Sequence, residues 1–295
     1  MAAEKRPFFR FILIAFSRFG GLLFFPRRFF AMIRLIASDI DGTLLPSGSR
    51  QLLPELFPLI RQLRQQGILF CAASGRQYPN LKHLFEPVWQ DMLFICENGA
   101  LVMQGDQMLE QIPMPRLPGL ALIEDILASP GCEVQVSGRE CVYISPRSPG
   151  FADHLRNHVK NNVVLCEDFS AIEEPFLKIS INMANGVDDD TIARFSAAWS
   201  DRFSVALAGR CWLDFTVADK GQGLASLCRH LDISTTDVAA FGDDYNDLQM
   251  LRMAGSAWAM ESAADAIKTA AGRTCRRVEP VLRGILADAE REAAQ

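Results

Sequence analysis

The sequence lacks closely spaced cysteines and an excess of positive charge, and each absence excludes a class of protein. No two of its eight cysteines are separated by only two residues, which excludes a zinc knuckle and a Cys-x-x-Cys redox motif. Most lie in apolar runs, as Cys71 does in ILFCAAS, so we expect buried thiols and a reducing, cytoplasmic location. The formal net charge of −5 argues against a nucleic-acid partner, because phosphate backbones are bound by Lys and Arg.

The chain also lacks an apolar run of membrane-spanning length. A spanning helix needs about 20 apolar residues, and arginines interrupt the stretches near the N terminus. Residues 1–31 form a basic extension rich in phenylalanine, which we expect to lie outside the fold. Three interpretations of it stay open. Translation could begin at Met32, the extension could lie on a membrane surface, or it could be a signal peptide with an interrupted apolar region.

What the sequence does contain indicates a globular protein of two domains. It has 295 residues, 49% of them hydrophobic and 22% charged. Short apolar runs alternate with helical stretches over 32–112 and again over 210–295, which predicts a doubly wound, mainly parallel α/β sheet of the Rossmann-like kind. Residues 113–209 lack this alternation and contain a hairpin pattern in EVQVSGRECVYIS and two amphipathic helical stretches. We expect them to form an inserted α+β domain.

Three polar residues each stand just after an apolar run: Asp39, Ser74 and Asp243. Ligands of open α/β sheets bind outside the carboxyl ends of the strands, so these side chains are expected to converge. Asp41 lies two residues after Asp39 and is expected to face the same side of an extended segment. Carboxylates this close repel unless a cation lies between them, and a hard cation such as Mg²⁺ suits oxygen ligands. Taken alone, DIDG could equally be an ordinary turn.

Four motifs in order resemble those of the haloacid dehalogenase superfamily. They are SDIDGTLL, AASGR, DKGQGL and GDDYNDLQML. The ENGA that follows the third apolar run and the insertion between Ser74 and Lys220 resemble more narrowly its Cof-type branch, which has a type-IIB cap.

The resemblance implies a role for each matching residue. Asp39 would be the nucleophile and Asp41 the general acid/base. Asp39, the backbone carbonyl of Asp41 and Asp243 would bind Mg²⁺, and Asp247 would support the metal shell or Lys220. The expected phosphate-binding residues are Thr43, Ser74, Gly75, Lys220 and Asn246.

These roles lead us to expect a Mg²⁺-dependent phosphatase that acts through an aspartyl-phosphate on a small phosphorylated metabolite. Sugar phosphates and phosphorylated cofactors such as pyridoxal phosphate or flavin mononucleotide are the candidate substrates. The alternatives are a phosphotransferase or phosphomutase of the same superfamily, and a non-catalytic protein that binds a phosphorylated metabolite. The expected oligomeric state is a monomer or weak dimer. His154 and His158 have a spacing that suits a metal, but no third ligand is evident, so we interpret them as surface residues.

Overall fold

The computed structural model describes residues 33–45, 49 and 51–294. The basic extension predicted over 1–31 lies outside the described residues. Within them, no helix has the length and apolar character needed to cross a membrane.

The larger sheet has eight strands in the order β14-β13-β12-β1-β2-β3-β4-β5. The first six positions of this order pair in parallel, and β4 and β5 close the far edge as antiparallel strands. The strands of this sheet are β1 (Leu35–Asp39), β2 (Leu69–Ala73), β3 (Leu93–Cys96), β4 (Leu101–Gln104), β5 (Gln107–Gln111), β12 (Val238–Gly242), β13 (Ser256–Met260) and β14 (Thr274–Cys275).

Helices cover both faces of this sheet. Their bounds are α1 (Leu56–Gln65), α2 (Tyr78–Leu84), α6 (Lys220–Leu231), α7 (Leu248–Met253), α8 (Asp265–Ala271) and α9 (Val278–Ala293). Buried residues of α1, α2 and α9 pack with Ile36 of β1, whereas those of α6, α7 and α8 pack with Leu35 and Ala37. Alternate residues of one central strand therefore enter opposite hydrophobic layers, as a buried parallel strand requires.

A second sheet lies in the chain between β5 and α6, and we call its strands and helices the insert. Six strands are arranged in the order β10-β11-β9-β6-β7-β8, and all neighbours are antiparallel except β7 and β8. Its elements are α3 (Arg116–Leu127), β6 (Glu133–Ser137), β7 (Val142–Ile144), α4 (Pro149–His154), β8 (Val163–Leu165), β9 (Lys178–Asn182), α5 (Asp189–Trp199), β10 (Ser204–Ala208) and β11 (Trp212–Thr216). A π-helical turn, Leu155–Val159, continues α4.

The predicted fold class, a doubly wound sheet with an inserted α+β unit, is confirmed. The expected hairpin is β6 paired with β7. The second sheet also takes in β11, which lies beyond residue 209, the end expected for the inserted domain. On this basis we propose that the second crossing between the two domains lies between Thr216 and Lys220.

Candidate active site

The carboxyl ends of the central strands place the predicted residues at one edge of the large sheet. Asp39 is the last residue of β1, Ser74 follows β2, and Asp243 follows β12. Since β12, β1 and β2 are parallel neighbours, their ends meet. Asp39 is 5% exposed and Ser74 1%, so this edge is the floor of a cavity and not an open surface.

Lys220, at the start of α6, is fully buried and lies between two carboxylates. Its Nζ donates to Asp39 Oδ1 and to Asp247 Oδ1, each at 2.6 Å. The helix start is fixed by a capping box in which Asp219 accepts from the backbone of Gln222 and the Gln222 side chain accepts from the Asp219 amide. Burial acts to lower the pKa of Lys220, but the charges of Asp247 and Asp39 more than offset this, and the pKa is raised. The lysine therefore keeps its positive charge.

Asp39 carries an unsatisfied oxygen. Its Oδ1 accepts from Lys220, whereas Oδ2 is buried and has no hydrogen-bond partner. Burial raises the pKa of Asp39 well above its usual range, Lys220 opposes the rise, and the charges of Asp247 and Asp243 add to it. A buried carboxylate oxygen without a partner is costly, so this atom marks a place where a positive or phosphoryl group is expected.

Three carboxylates form a cluster suited to a cation. Oxygen atoms of Asp39, Asp243 and Asp247 all lie within 4.8 Å of one another. Asp247 has both oxygens engaged, Oδ1 with Lys220 and Oδ2 with the amides of Asp243 and Asp244 at 3.0 and 3.1 Å. Asp247 therefore supports the cluster, and Asp39 and Asp243 have the oxygens to offer. Carboxylate oxygens are the ligands that Mg²⁺ prefers, so this donor set fits that ion.

Thr43 and Gly42 let the loop after β1 lie directly against the Asp243 carboxylate. The Thr43 hydroxyl donates to Asp243 Oδ1 at 2.8 Å. Gly42 has a φ of +92°, and a Cβ there would lie 2.0 Å from Asp243 Oδ2, so only glycine fits. Burial raises the pKa of Asp243, and the Thr43 hydrogen bond opposes the rise. Thr43, expected at the phosphate, thus contacts the carboxylate proposed to bind the metal.

The remaining phosphate-binding candidates line the same cavity. Ser74 Oγ accepts from the Arg76 amide at 3.2 Å, and Gly75 follows it in the loop after β2. A Cβ at Gly75 would lie 2.9 Å from Asn98 Oδ1, so the loop approaches Asn98 closely. Asn246 donates to that same Oδ1 at 3.3 Å. The structure therefore brings Ser74, Gly75 and Asn246 together around Asn98, a residue of the ENGA motif to which the sequence assigned no role.

Asp41 lies apart from the carboxylate cluster and is paired with Arg76. The guanidinium donates from Nη2 to Oδ1 at 2.6 Å and from Nε to Oδ2 at 2.8 Å, which is a bidentate pair. The Asp41 side chain is 57% exposed and faces the cavity, in contrast with the buried Asp39. Arg76 was visible in the AASGR motif, but no sequence signal showed that it would reach Asp41.

A second buried lysine, Lys178 at the start of β9, reaches from the insert to the large sheet. Its Nζ donates to the Gly75 carbonyl at 2.6 Å and lies 2.9 Å from Glu97 Oε2 and 3.4 Å from Asp214 Oδ2. Burial acts to lower the pKa of Lys178, but the charges of Asp214 and Glu97 dominate and raise it. The only sequence signal for this contact was a lysine at the head of the apolar run KISINMA.

Together these groups line a cavity of about 1010 Å³ between the large sheet and the insert. The large sheet contributes the charged floor around Asp39. The insert contributes Gln135, Ser180 and Asp214 together with the rings of His154 and Trp212. The Oε1 of Gln135 is buried without a hydrogen-bond partner.

His154 and His158 stack with their ring centroids 5.4 Å apart. They belong to no group of three ligands, because the cluster around Asp39 is the only such group among the described residues. Both residues are exposed, as expected for surface residues.

Comparison with known proteins identifies similar chains. The sequence model of the family described as haloacid dehalogenase-like hydrolase matches residues 36–280. The Escherichia coli protein 5-amino-6-(5-phospho-D-ribitylamino)uracil phosphatase YbjI is 27% identical over 241 residues, which are 81% of this chain and 89% of that protein. The E. coli pyridoxal phosphate phosphatase YbhA is 25% identical over 257 residues, covering 81% of this chain and 91% of the relative.

A solved structure supports the same fold. The subclass IIB sugar phosphatase BT4131 of the haloacid dehalogenase superfamily superposes with a TM-score of 0.68 at 17% identity. The match covers 88% of this chain and 99% of that one. At this identity the likeness shows the fold alone, and it includes the inserted unit.

Proposed function

The chain belongs to the haloacid dehalogenase-like hydrolases and is a phosphoric monoester hydrolase, and we propose that its substrate is a small phosphorylated metabolite built on a nitrogen heterocycle. The observation that supports the reaction most strongly is Asp39, whose Oδ2 is buried without a partner while its Oδ1 is held by Lys220. Both relatives named above act, by their names, on phosphorylated compounds that contain such a ring.

We propose that Oδ2 of Asp39 attacks the phosphorus atom. The bond from Asp39 to phosphorus forms as the ester bond breaks, and Asp41 donates a proton to the leaving oxygen. A water molecule then attacks the phosphorus, Asp41 takes up its proton, and inorganic phosphate leaves with Asp39 regenerated. Dividing hydrolysis in this way replaces one difficult step with two easier ones.

The surrounding residues offset the negative charge of this reaction. The carboxylate of Asp39 and the phosphate repel each other, and Lys220 lies within 2.6 Å of the former. Ser74 Oγ and the Gly75 amide are the groups we assign to the phosphoryl oxygens, and Asn246 lies beside them. A Mg²⁺ ion held by Asp39, Asp243 and the Asp41 carbonyl would supply further positive charge to the phosphoryl oxygens.

The proposed substrate class has support in the lining of the insert. Gln135 Oε1 is a free acceptor for a ring N–H, since the Gln135 amide nitrogen donates to Ser137 Oγ at 3.3 Å. Trp212 and His154 also line the cavity and are the aromatic side chains that the insert contributes to it.

Release of inorganic phosphate from a substrate panel tests the proposal. The panel contains pyridoxal phosphate, flavin mononucleotide, a phosphoribitylaminouracil and glucose 6-phosphate, each with Mg²⁺ and with EDTA, and wild type is compared with Asp39→Asn. We expect metal-dependent release that Asp39→Asn abolishes and that is fastest with the heterocyclic compounds. Faster turnover of glucose 6-phosphate would contradict the substrate class, and a phosphorylated isomer without free phosphate would indicate a mutase.

A further inference from the structure

A chain of hydrogen bonds runs from the insert to Asp41. Arg76 holds both carboxylate oxygens of Asp41, and its Nη1 donates to Asn80 Oδ1 at 3.0 Å. The Asn80 Nδ2 in turn donates to the backbone carbonyl of Val159 in the insert. Asn80 is 7% exposed, so water competes little for these contacts.

We propose that Arg76 and Asn80 are positioning residues for Asp41, and that Asn80 makes the position of the Asp41 carboxylate depend on the insert. The proposal rests on the phosphatase function proposed above and adds to it a link between substrate enclosure and proton transfer. None of the four motifs in the sequence contains Asn80, which lies on α2.

The geometry of Arg76 suits this role. A guanidinium fork fixes the plane of a carboxylate through two parallel bonds, which a lysine cannot do. The backbone amide of Arg76 is itself held by Ser74 Oγ at 3.2 Å, so the fork starts from the phosphate-binding loop.

The insert offers Asn80 an acceptor at a suitable place. Val159 ends the π-helical turn, and Lys160 after it has a left-handed φ of 68°. The last carbonyls of a helix lack partners within the helix and accept bonds from outside. Displacement of the insert would break the bond to Asn80 and release one of the groups that hold Arg76.

The expected consequence concerns the leaving group. In the first step the ester bond breaks as Asp41 gives its proton to the leaving oxygen. An alkoxide needs this proton, whereas 4-nitrophenolate leaves readily without it. The ratio of kcat/KM for an alkyl phosphate to kcat/KM for 4-nitrophenyl phosphate therefore reports on the positioning of Asp41, because kcat/KM covers the first chemical step. Both values come from one protein sample, so the ratio does not depend on the fraction that is folded.

The test compares this ratio in wild type, Asp41→Asn, Arg76→Lys, Asn80→Ala and Asn80→Asp. Loss of acid catalysis in Asp41→Asn is expected to lower the ratio by about 10²–10⁴-fold. Misplacement of the same carboxyl group in the other three variants is expected to lower it by about 10–100-fold. Asn80→Asp keeps an acceptor for Arg76 but has no N–H for the Val159 carbonyl, so it isolates the link to the insert.

Gln77→Ala is the matched control. Gln77 precedes α2 and donates to the Gly138 carbonyl of the insert at 3.5 Å, so its loss removes a neighbouring contact to the insert that does not lead to Asp41. We expect both rates to change by the same factor there, leaving the ratio at the wild-type value. A wild-type ratio in Asn80→Ala and Asn80→Asp would overturn the proposal. No phosphate release by wild type from either compound would instead remove its premise, the phosphatase function itself.

Discussion

Two buried lysines each lie between two carboxylates, and we expect them to have different roles in this protein. Lys220 lies between Asp39 and Asp247, and all three belong to the large sheet and its helices. Lys178 lies between Glu97 of the large sheet and Asp214 of the insert. Removing a buried charge exposes its partners to uncompensated repulsion in both places. The first group surrounds the proposed nucleophile within the large sheet and its helices, and the second joins the large sheet to the insert.

The charge balance of the two groups also differs. Around Lys220 there are three carboxylates to one lysine, since Asp243 joins the cluster, which leaves a formal charge of −2. Around Lys178 there are two carboxylates to one lysine, and the formal charge is −1. The cluster with the larger imbalance is the one suited to a divalent cation. The comparison predicts that the two lysines differ in what their loss damages.

The largest expected effect is that of Lys220→Met on catalysis. Without the lysine, nothing else among the described residues bonds Asp39 Oδ1, and the repulsion between Asp39 and phosphate would be opposed only by the proposed Mg²⁺ and the uncharged donors Ser74 and Gly75. Loss of one such stabilising group lowers kcat by about 10²–10³-fold. Steady-state kinetics on the best substrate of the panel measures this. Lys178→Met should lose far less in kcat, and equal losses would contradict the division of roles.

Lys178→Met is expected to act mainly on stability. It leaves Glu97 and Asp214 buried without their shared cation, and breaking a buried pair typically costs about 3–5 kcal/mol. Urea unfolding followed by circular dichroism measures the change in free energy. The control is Lys178→Met combined with Glu97→Gln, which removes one of the two stranded charges and should recover part of the loss. No recovery would show that Glu97 is not the group that Lys178 neutralises.

Mg²⁺ should stabilise the folded protein through the cluster around Lys220. Binding to the folded state alone contributes about 2.7 kcal/mol when the ion is at 100 times its Kd. The expected result is a rise in Tm of wild type with Mg²⁺ that Asp243→Asn abolishes. Asp244→Asn is the matched control, because the neighbouring Asp244 uses its Oδ1 to accept from the Tyr245 amide and lies outside the cluster. A rise retained in Asp243→Asn would place the ion elsewhere.

The smallest expected effect is a pH dependence of the unfolding free energy that arises from Glu97, beside Lys178. Burial raises the pKa of Glu97 above its ordinary value of 4.5, against the opposing charge of Lys178. The folded protein therefore holds this proton more tightly than the unfolded chain does. The stability that Glu97 contributes is complete below pH 4.5 and is lost as the pH rises through the folded value. Lys178 stays charged in both states over this window, because its pKa is raised from 10.5.

Glu97→Gln removes this dependence. The difference in unfolding free energy between wild type and Glu97→Gln should therefore fall as the pH rises from 4.5, by at most about 1.4 kcal/mol per pH unit. Asp39 is present in both proteins, so its own titration cancels in the difference. Urea unfolding of both proteins between pH 4 and 8 measures it. A difference that grows with pH would mean that the Glu97 pKa is lowered on folding.

The sequence predicted the site residues that lie at the ends of parallel strands. Asp39, Ser74 and Asp243 were expected to converge because the carboxyl ends of parallel strands meet, and the structure brings them together. The family resemblance assigned Lys220 to the same site, and the structure places its Nζ 2.6 Å from Asp39 Oδ1. Family and fold class were likewise predictable, because four ordered motifs constrain both.

The residues that depend on how the insert meets the large sheet were not predictable. Lys178 lies 103 residues from Gly75, whose carbonyl it contacts, and Asn80 lies 79 residues from Val159. The hydrophobic periodicity of one segment does not predict which distant segment it will contact. The partner of Thr43 was not predictable either. A hydroxyl in the loop after β1 could contact a phosphate or Asp243, and only the side-chain rotamer in the structure distinguishes the two.

The central claim is that Asp39 carries the phosphoryl group during turnover. It is tested most directly by mixing Asp41→Asn with ³²P-labelled 4-nitrophenyl phosphate and quenching in acid, because this leaving group needs no proton in the first step while attack by water in the second step should be slowed. Borohydride reduction then converts an aspartyl-phosphate to homoserine, which peptide mass spectrometry locates. The account predicts label on the protein and homoserine at position 39, with neither in the Asp39→Asn protein. Phosphate release without labelled protein, or label on any other residue, would contradict it.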